Sequence, residues 1–411
     1  MRVCLVTTGQ PSTNPRLVKE ADALTDSGFD VTVVGAHWTD WATAADKRLL
    51  ASRPWTFTFV DWRRDRAPWL FTKSRIRHWA ARKLGRTTDW KGAAAILSRV
   101  GPELGQAASR TPAALYIAHN LGALPAAAAA ARMHSAPLAF DAEDFHSGQL
   151  SNSEDNPMAE MTRTVERQFL PECAYVSAAS PGIAESYRDL CDIPLPTCVL
   201  NVFPLRDRPP SFRPASSKGL RLYWFSQTIG PDRGLEDAVR AMGVLTSHDI
   251  ELHLRGKWQA GYEERLRAIA AEAGARQGRI ISHEPADADE MVRLAATYDV
   301  GLALEPPVTV NNDILLSNKI FTYILGGTAV IATRTRGQAG LVGELGAAAL
   351  SYETGDHWSF AAALTPWLED REALMHARQT AWCLGESRFN WDREKATFLG
   401  LVQTALSAPT A

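Results

Sequence analysis

The sequence contains few cysteines, and none of them stands in a metal-binding spacing. Its five cysteines are Cys4, Cys173, Cys191, Cys198 and Cys383, and no two of them form a C-x-x-C pair. This usage fits a reducing compartment and argues against a disulfide framework or a structural zinc site. The cysteines are therefore interpreted as buried thiols.

Long apolar runs and an excess of charge of one sign are also missing. The sequence has no uninterrupted apolar run of about 18 residues, which is the length a membrane-spanning helix needs. The sequence therefore predicts neither a signal peptide nor a membrane span. The expected location is cytoplasmic. Lys and Arg number 44 against 46 Asp and Glu, so the formal net charge is -2. Such a balance gives the chain as a whole no attraction to nucleic acid, and no nucleic-acid partner is expected.

The glycine fingerprint of dinucleotide-binding enzymes is absent as well. After the first apolar run, residues 7–16 read TTGQPSTNPR and contain a single glycine, Gly9. A G-x-G-x-x-G loop needs its glycines so that the backbone can approach a pyrophosphate closely, and a dehydrogenase is therefore disfavoured. Gly9 alone still lets a ligand approach the backbone at this strand end.

What the sequence does contain is a repeated alternation of strands and helices. Residues 2–35 read as strand, glycine loop, helix and strand, with Asn14 as helix N-cap, Pro15 as first helical residue and Gly28 as the stop. Similar units recur in both halves, on either side of a segment rich in Pro, Ser and Arg at residues 204–219. The pattern predicts an α/β fold of two facing, doubly wound, Rossmann-like domains with a ligand cleft between them.

The domain boundaries follow from the same alternation. We predict a first domain at 1–205, a linker at 206–219, a second domain at 220–388 and a C-terminal helix at 389–411. The C-terminal helix could pack back across the linker onto the first domain.

Two segments of the second domain have features of anion sites. In residues 317–333, Ser317 and Asn318 are expected to cap a helix that carries Lys319 in its first turn and ends at a glycine pair. Free backbone N–H groups, the helix dipole and an ammonium would converge there, which suits a diphosphate. The alternative interpretation is an ordinary helix–strand connection with a solvated lysine.

The second candidate anion site lies directly after the first strand of this domain. Residues 226–237 place Gly230 and Arg233 in a loop before the next helix, so that backbone N–H groups and a cation again point to the carboxyl end of the sheet. Alone, Arg233 could equally be a surface arginine at a helix start.

Polar residues also end two strands of the first domain. His119 follows one strand, and Asp141, Glu143, Asp144 and His146 follow the next. Strand ends are where ligands bind in such sheets, although a single histidine is more often structural. No ligand spacing supports a metal, and none is expected.

Residues 61–92 form a basic segment with ten Lys or Arg, three Asp and five interleaved Trp or Phe. This composition suits an anionic membrane surface, which would place the protein peripherally on the inner face of the plasma membrane. The alternative is a surface helix that packs its tryptophans onto the domain.

Taken in order, the motifs resemble those of the B-type glycosyltransferases (GT-B fold), specifically glycosyltransferase family 4. The similar segments cover nearly the whole chain and are 12–35, 117–132, 140–145, 176–187, 199–204, 230–242 and 317–333. The resemblance implies transfer of a sugar from a nucleotide-activated donor, with retention of configuration and without a metal ion. The donor would lie mainly on the second domain.

The resemblance also assigns roles to individual residues. Arg233 and Lys319 would hold the donor diphosphate, Gly9 would allow approach of the donor, and His119 matches the family histidine near the reacting sugar. Two positions depart from the family. Thr322 stands where relatives commonly have a glutamate that binds the donor ribose, and Thr228 stands where many have an arginine.

The expected function is therefore transfer of a sugar from a UDP- or GDP-linked donor, with no cofactor, to a glycan, lipid-linked or small-molecule hydroxyl. Expected donor-binding residues are Gly9, Gly230, Arg233, Glu305, Asn318, Lys319 and Thr322, with Glu305 as a hypothetical substitute for the missing glutamate. A nucleotide-sugar 2-epimerase and a non-catalytic, glycosyltransferase-like binding or assembly subunit remain alternatives.

Overall fold

The computed structural model describes residues 1–38, 40–84, 89–150, 156–215 and 219–408. Parts of three predicted segments lie outside the described residues: 85–88 of the basic segment, 216–218 of the linker and 409–411 of the last helix. No helix among the described residues is long and apolar enough to cross a membrane.

The chain forms two compact units, one of which is discontinuous. The first unit consists of Met1–Val199 together with the end of the chain from Lys395, and the second unit is the single stretch Leu200–Glu394.

The first unit is a parallel sheet covered by helices. Its strands are β1 (Arg2–Thr7), β2 (Asp30–His37), β3 (Thr56–Asp61), β4 (Leu115–His119), β5 (Leu138–Ala142), β6 (Cys173–Ala178) and β7 (Thr197–Cys198). Its helices are α1 (Pro15–Asp26), α2 (Asp40–Leu50), α3 (Pro68–Leu84), α4 (Trp90–Leu97), α5 (Gly101–Ser109), α6 (Leu124–Met133), α7 (Pro157–Phe169) and α8 (Pro181–Cys191).

The second unit repeats this architecture. Its strands are β8 (Leu220–Ile229), β9 (Ile250–Trp258), β10 (Ile280–His283), β11 (Val300–Ala303), β12 (Ala329–Thr333) and β13 (Ala349–Tyr352). Its helices are α9 (Leu235–Val244), α10 (Tyr262–Glu272), α11 (Met291–Ala295), α12 (Val310–Ile314), α13 (Asn318–Gly326), α14 (Arg336–Leu345), α15 (His357–Glu369) and α16 (Arg371–Ser387). A last helix, α17 (Trp391–Ser407), begins in this unit and continues into the first.

The helix signals of the first βαβ unit are confirmed. The Asn14 side chain accepts a hydrogen bond from the backbone N–H of Leu17, and Pro15 is the first residue of α1. Gly28 follows the helix with φ of 86°, a conformation that glycine adopts without a Cβ clash. The cap and the stop fix where α1 begins and ends, and so position β1 and β2 side by side.

Both sheets are wound in the same order. The first runs β3-β2-β1-β4-β5-β6-β7 and the second β10-β9-β8-β11-β12-β13, with parallel pairs throughout. Their buried strands carry apolar cores, with Leu5 and Ile117 in the first sheet and Leu222 and Leu302 in the second. The predicted α/β class with two doubly wound sheets is confirmed.

In each sheet the direction of winding reverses between two neighbouring strands, β1 and β4 in one and β8 and β11 in the other. Loops that leave such strands at their carboxyl ends diverge to opposite faces of the sheet and leave a crevice, where ligands of this fold class bind. Gly9, His119, Arg233 and Glu305 lie at or just beyond the ends of these four strands.

Candidate functional site

The second unit brings three predicted site residues together, Arg233, Glu305 and Lys319, which we call the cation site. Lys319 lies in the first turn of α13, and its Nζ is 2.5 Å from Glu305 Oε1. Glu305 follows β11 and is 6% exposed. The residues are 14 positions apart, and they meet because β11 and the start of α13 both lie at the carboxyl edge of the sheet.

The ionisation of Glu305 reports the positive charge around it. Burial alone would raise the pKa of Glu305, but the Lys319 ammonium, a hydrogen bond from Ser317 and the charge of Arg233 outweigh burial and hold the pKa below its ordinary value. Glu305 is thus a carboxylate that neutralises part of the positive charge. The charge of Arg233 contributes to the same lowering of the pKa.

Ser317 differs from its predicted role. It is the N-cap residue of α13, but its side chain caps no backbone N–H. Its hydroxyl instead donates to Glu305 Oε1 at 3.0 Å. Asn318 follows as the first helical residue and is exposed. The predicted side-chain capping by Ser317 is therefore wrong, because a tertiary partner takes the hydroxyl and leaves the first N–H groups of the helix without a side-chain cap.

The loop that carries Arg233 is held in an unusual backbone conformation. Asp232 and Gly234 both have positive φ, of 59° and 70°. A Cβ on Gly234 would come within 2.9 Å of Leu304 Cβ, so only glycine fits here. A Cβ on Gly230 would meet the Gln259 side chain at 2.7 Å. The loop therefore packs tightly against its neighbours while the Arg233 side chain stays exposed.

Thr322 is fully buried in α13, at 0% exposure. Its hydroxyl donates to the backbone carbonyl of Asn318 at 3.2 Å, one helical turn earlier. The position at which the resemblance predicts a carboxylate is thus occupied by a side chain whose hydrogen bond stays within its own helix.

The first unit gathers four charged or titratable residues beneath its strand ends: Arg16, Glu20, His119 and Asp141, which we call the buried ion cluster. The Arg16 guanidinium donates to both oxygens of Asp141, at 2.6 and 2.7 Å. It also donates to the backbone carbonyl of Val199 at 2.8 Å. His119 lies between two acids, with Nε2 3.2 Å from Glu20 and Nδ1 3.6 Å from Asp141.

Each member of the cluster adjusts the ionisation of the others. Burial alone would lower the pKa of His119, but the Glu20 and Asp141 carboxylates raise it above its ordinary value. Burial likewise favours a raised pKa for Asp141, and the Arg16 guanidinium overcomes it and lowers the pKa. Ser177 donates a further hydrogen bond of 2.6 Å to Asp141. Burial and the Asp141 carboxylate raise the pKa of Glu20, so the Arg16–Asp141 pair is the best-compensated part of the cluster.

The donor atoms of Glu20, His119 and Asp141 lie within 4.8 Å of one another, which a metal ion could require. However, the guanidinium of Arg16 already binds both oxygens of Asp141. A divalent cation there would face a fixed positive charge at contact distance, which is strongly unfavourable in a buried site. The arrangement does not fit a metal.

The sequence prediction singled out His119 and Asp141 but missed Arg16 and Glu20. A local signal for the latter pair exists, because Arg16 and Glu20 are four residues apart on α1, with 3.6 Å between them. Gly9 stands above β1, where its carbonyl accepts a hydrogen bond from Ala36 at 3.1 Å.

Comparison with solved structures shows that this architecture is the GT-B fold. No known family model matches the sequence, and no curated protein matches it. Among solved structures, the chain is similar to HepE of Anabaena in complex with UDP, with a TM-score of 0.71 and 15% identity, covering 98% of this chain and 100% of that one. Sucrose-phosphate synthase of Thermosynechococcus elongatus follows with a TM-score of 0.67, 13% identity and 98% coverage of both chains. The UDP-forming α,α-trehalose-phosphate synthase of Burkholderia xenovorans has a TM-score of 0.65 and 14% identity, covering 99% and 100%. The chain therefore has the GT-B fold.

Proposed function

We propose that this protein is a glycosyltransferase that moves a sugar from a nucleotide-sugar donor, UDP- or GDP-linked, to a hydroxyl of a glycan, lipid-linked or small-molecule acceptor. The reaction proceeds with retention of configuration, as in the family 4 enzymes that the sequence resembles, and uses no cofactor or metal. The single observation that carries the proposal is the cation site, which stands where the winding of the second sheet reverses.

The cation site has the charges that a diphosphate leaving group requires. Arg233 and Lys319 supply two cations, and the first N–H groups of α13 add the positive end of the helix dipole. The Asn318 side chain and the backbone around Gly230 would complete the donor contacts. Glu305 holds Lys319 through the 2.5 Å ion pair and so fixes the ammonium before the donor binds.

The chemistry follows from the growth of negative charge on the leaving diphosphate as its bond to the sugar breaks. The cations and N–H groups stabilise that charge more in the transition state than in the bound donor, which lowers the barrier. The acceptor hydroxyl attacks the same face of the sugar, and an oxygen of the departing phosphate takes its proton. No pair of side-chain carboxylates is required, unlike in hydrolases.

We assign His119 to positioning rather than to direct chemistry. The residue is 1% exposed, and its imidazole is held between Glu20 and Asp141. From there it can fix the end of β4. The loop that carries Gly9 lies after β1, the neighbouring strand, and would allow the first unit to approach the donor.

The choice of UDP as the first nucleotide to test is supported by the UDP and UDP-glucose complexes of the similar HepE.

The test is stabilisation by ligands in a thermal unfolding assay with UDP, GDP, ADP, CMP and the corresponding UDP- and GDP-sugars. A ligand at 100 times its dissociation constant adds about 2.7 kcal/mol to the free energy of unfolding. We expect one nucleotide class to raise the melting temperature of the wild type, and Arg233→Ala and Lys319→Ala to lose most of the shift. Arg265→Ala, an exposed arginine of α10, is the matched control and should respond as the wild type does.

Turnover assays then separate the alternatives. Release of the nucleoside diphosphate that depends on an added acceptor supports the transferase. Conversion of the donor without an acceptor would favour a 2-epimerase, and binding without turnover a non-catalytic subunit. If no nucleotide or nucleotide sugar stabilises the wild type, the proposal is wrong.

A further inference from the structure

The helix α3 of the first unit has one face that packs on the domain and one that is exposed. The packed face is fixed by Arg77, which forms an ion pair of 2.6 Å with Glu103, and by His78, whose ring nitrogen is 2.9 Å from the Ile96 carbonyl. Arg99 reaches the carbonyl of Phe71 at 2.6 Å. These contacts set the rotation of α3 about its axis.

The opposite face exposes large apolar side chains. Trp69, Ile76 and Trp79 are 78%, 62% and 61% exposed. Their spacing of seven and three residues places them along one side of the helix, because a helix repeats every 3.6 residues. Trp62 of the same basic segment is buried instead, at 2%. The alternative prediction, that the tryptophans pack onto the domain, thus holds for Trp62 and fails for Trp69 and Trp79.

Cations flank this apolar stripe. Lys73, Arg75 and Arg82 lie to its sides and Lys83 continues it by one turn; all four are exposed, and within the described parts of the chain none of the four forms an ion pair. Helix α3 itself contains no acidic residue. The excess positive charge also acts on Arg99. Burial and the charges of Arg75 and Arg77 together lower the pKa of its guanidinium.

A groove of about 490 Å³ runs along one flank of the stripe. It is lined by Arg75, His78, Trp79, Arg82, Lys83 and Arg99, and none of these six residues is acidic. A space of this size bounded by arginines and a tryptophan suits a phosphate-bearing group attached to an apolar chain.

We propose that the exposed face of α3 is a docking surface for an anionic lipid bilayer. The stripe Trp69, Ile76 and Trp79 enters the interface between headgroups and acyl chains, while the flanking cations and the groove contact lipid phosphates. Tryptophan prefers this interface, and unpaired Lys and Arg add attraction to an anionic surface. Charge complementarity favours this occupant, because an apolar stripe bordered on its flanks by unpaired cations matches an apolar layer covered by phosphates.

The surface belongs to the first unit and shares no residue with the cation site of the second. The proposal therefore goes beyond the proposed function and does not depend on it. Binding to vesicles can be measured without any donor or acceptor, so failure of one proposal leaves the other intact.

The experiment is co-sedimentation of the full-length protein with vesicles of phosphatidylcholine alone and of phosphatidylcholine mixed with phosphatidylglycerol. We expect binding to the mixed vesicles at low salt, weaker binding at high salt because surface charges are screened, and little binding to phosphatidylcholine alone. The double variants Trp69→Ala/Trp79→Ala and Arg75→Glu/Arg82→Glu should each weaken binding roughly tenfold or more.

Two controls keep the result interpretable. Trp358→Ala removes a tryptophan of similar exposure, 64%, from the second unit and should bind as the wild type does. Arg75→Lys/Arg82→Lys keeps the charges and should restore most of the binding lost in the glutamate variant, which separates charge from misfolding. The proposal is overturned if the wild type ignores the anionic vesicles, if both double variants bind normally, or if Trp358→Ala loses as much binding as the α3 variants.

Discussion

The two sheets share one winding order, yet the charged residues at their reversal points behave in opposite ways. In the first unit the charges of the buried ion cluster are paired inside the protein, with Arg16 bound to both oxygens of Asp141 and the side chains 0% and 1% exposed. In the second unit Arg233 is exposed and Lys319 remains 14% exposed in its side chain. The same topology thus places fully buried, paired charges in one unit and partly exposed charges in the other.

The comparison teaches how to interpret a polar strand end. Charged side chains that are paired inside the protein contribute to folding, and substituting them should lower the free energy of unfolding. Charged side chains that lack a full set of partners are available for binding, and substituting them should lower ligand affinity or the reaction rate. The following predictions test that separation.

The largest effect is expected from Arg16→Ala. Removing the guanidinium leaves the Asp141 carboxylate buried without its main partner, and breaking a buried pair in this way costs about 3–5 kcal/mol. Urea unfolding measures this loss in the free energy of unfolding. Arg132→Ala breaks an ion pair of 2.6 Å with Glu172, whose side chains are 52% and 35% exposed, and should cost at most about 1 kcal/mol. Equal losses in the two variants would contradict the distinction.

Arg233→Ala should do the reverse. The exposed side chain contributes little to folding, so the free energy of unfolding should stay within about 0.5 kcal/mol of the wild type. Loss of a cation that stabilises the leaving diphosphate should lower kcat about a hundredfold. Turnover of the donor identified in the thermal assay measures it. A variant with normal turnover would remove Arg233 from the cation site's chemistry.

Glu305→Gln should change the dependence of stability on pH. The pKa of Glu305 is held below its ordinary value of 4.5. A carboxylate of this kind stabilises the fold above its unfolded-state pKa, and the stabilisation is lost as pH falls through the folded-state pKa. The variant should lose about 1–2 kcal/mol at neutral pH, and the difference from the wild type should shrink in acid. Denaturant unfolding over a pH series checks it, and a difference that is constant from neutral to acid pH would contradict it.

The smallest effect is expected from Thr322→Val. The hydroxyl donates within its own helix, and such a bond adds little stability, so the free energy of unfolding should change by less than about 1 kcal/mol. Nucleotide affinity should also stay unchanged, since this side chain is buried at 0% exposure. Isothermal titration with the nucleotide measures it. A clear loss of affinity would place Thr322 in the donor site, as its position in the sequence predicts.

Local signals in the sequence were sufficient for much of the fold. The cap at Asn14, the proline after it and the glycine at 28 act within a few residues, and all three are used as expected. The end of α13 is similar, because Gly327 takes a positive φ of 71° and β12 begins soon after. Such signals depend on the backbone nearby, which a pattern of residue types records.

Partners distant in sequence could not be predicted in this way. Arg16 and Asp141 are 125 positions apart, and nothing near either residue indicates the other. Ser317 has a residue type that commonly caps helices, but its hydroxyl donates to the Glu305 carboxylate instead of accepting from a backbone N–H group. Only the tertiary structure brings these two side chains together. The presence of charge at the strand ends was therefore predictable, whereas its pairing depended on the folded sheet.

The discontinuity of the first unit bears on how the chain folds during synthesis. The second unit is one continuous stretch, Leu200–Glu394, whereas the first also requires the residues from Lys395 onward. Ribosomes add about 5–20 residues per second, so the last part of the first unit emerges roughly 10 to 40 seconds after Val199. The unit whose strands are made first is thus completed last, and until then its growing chain presents an unfinished surface to the chaperones of the cell.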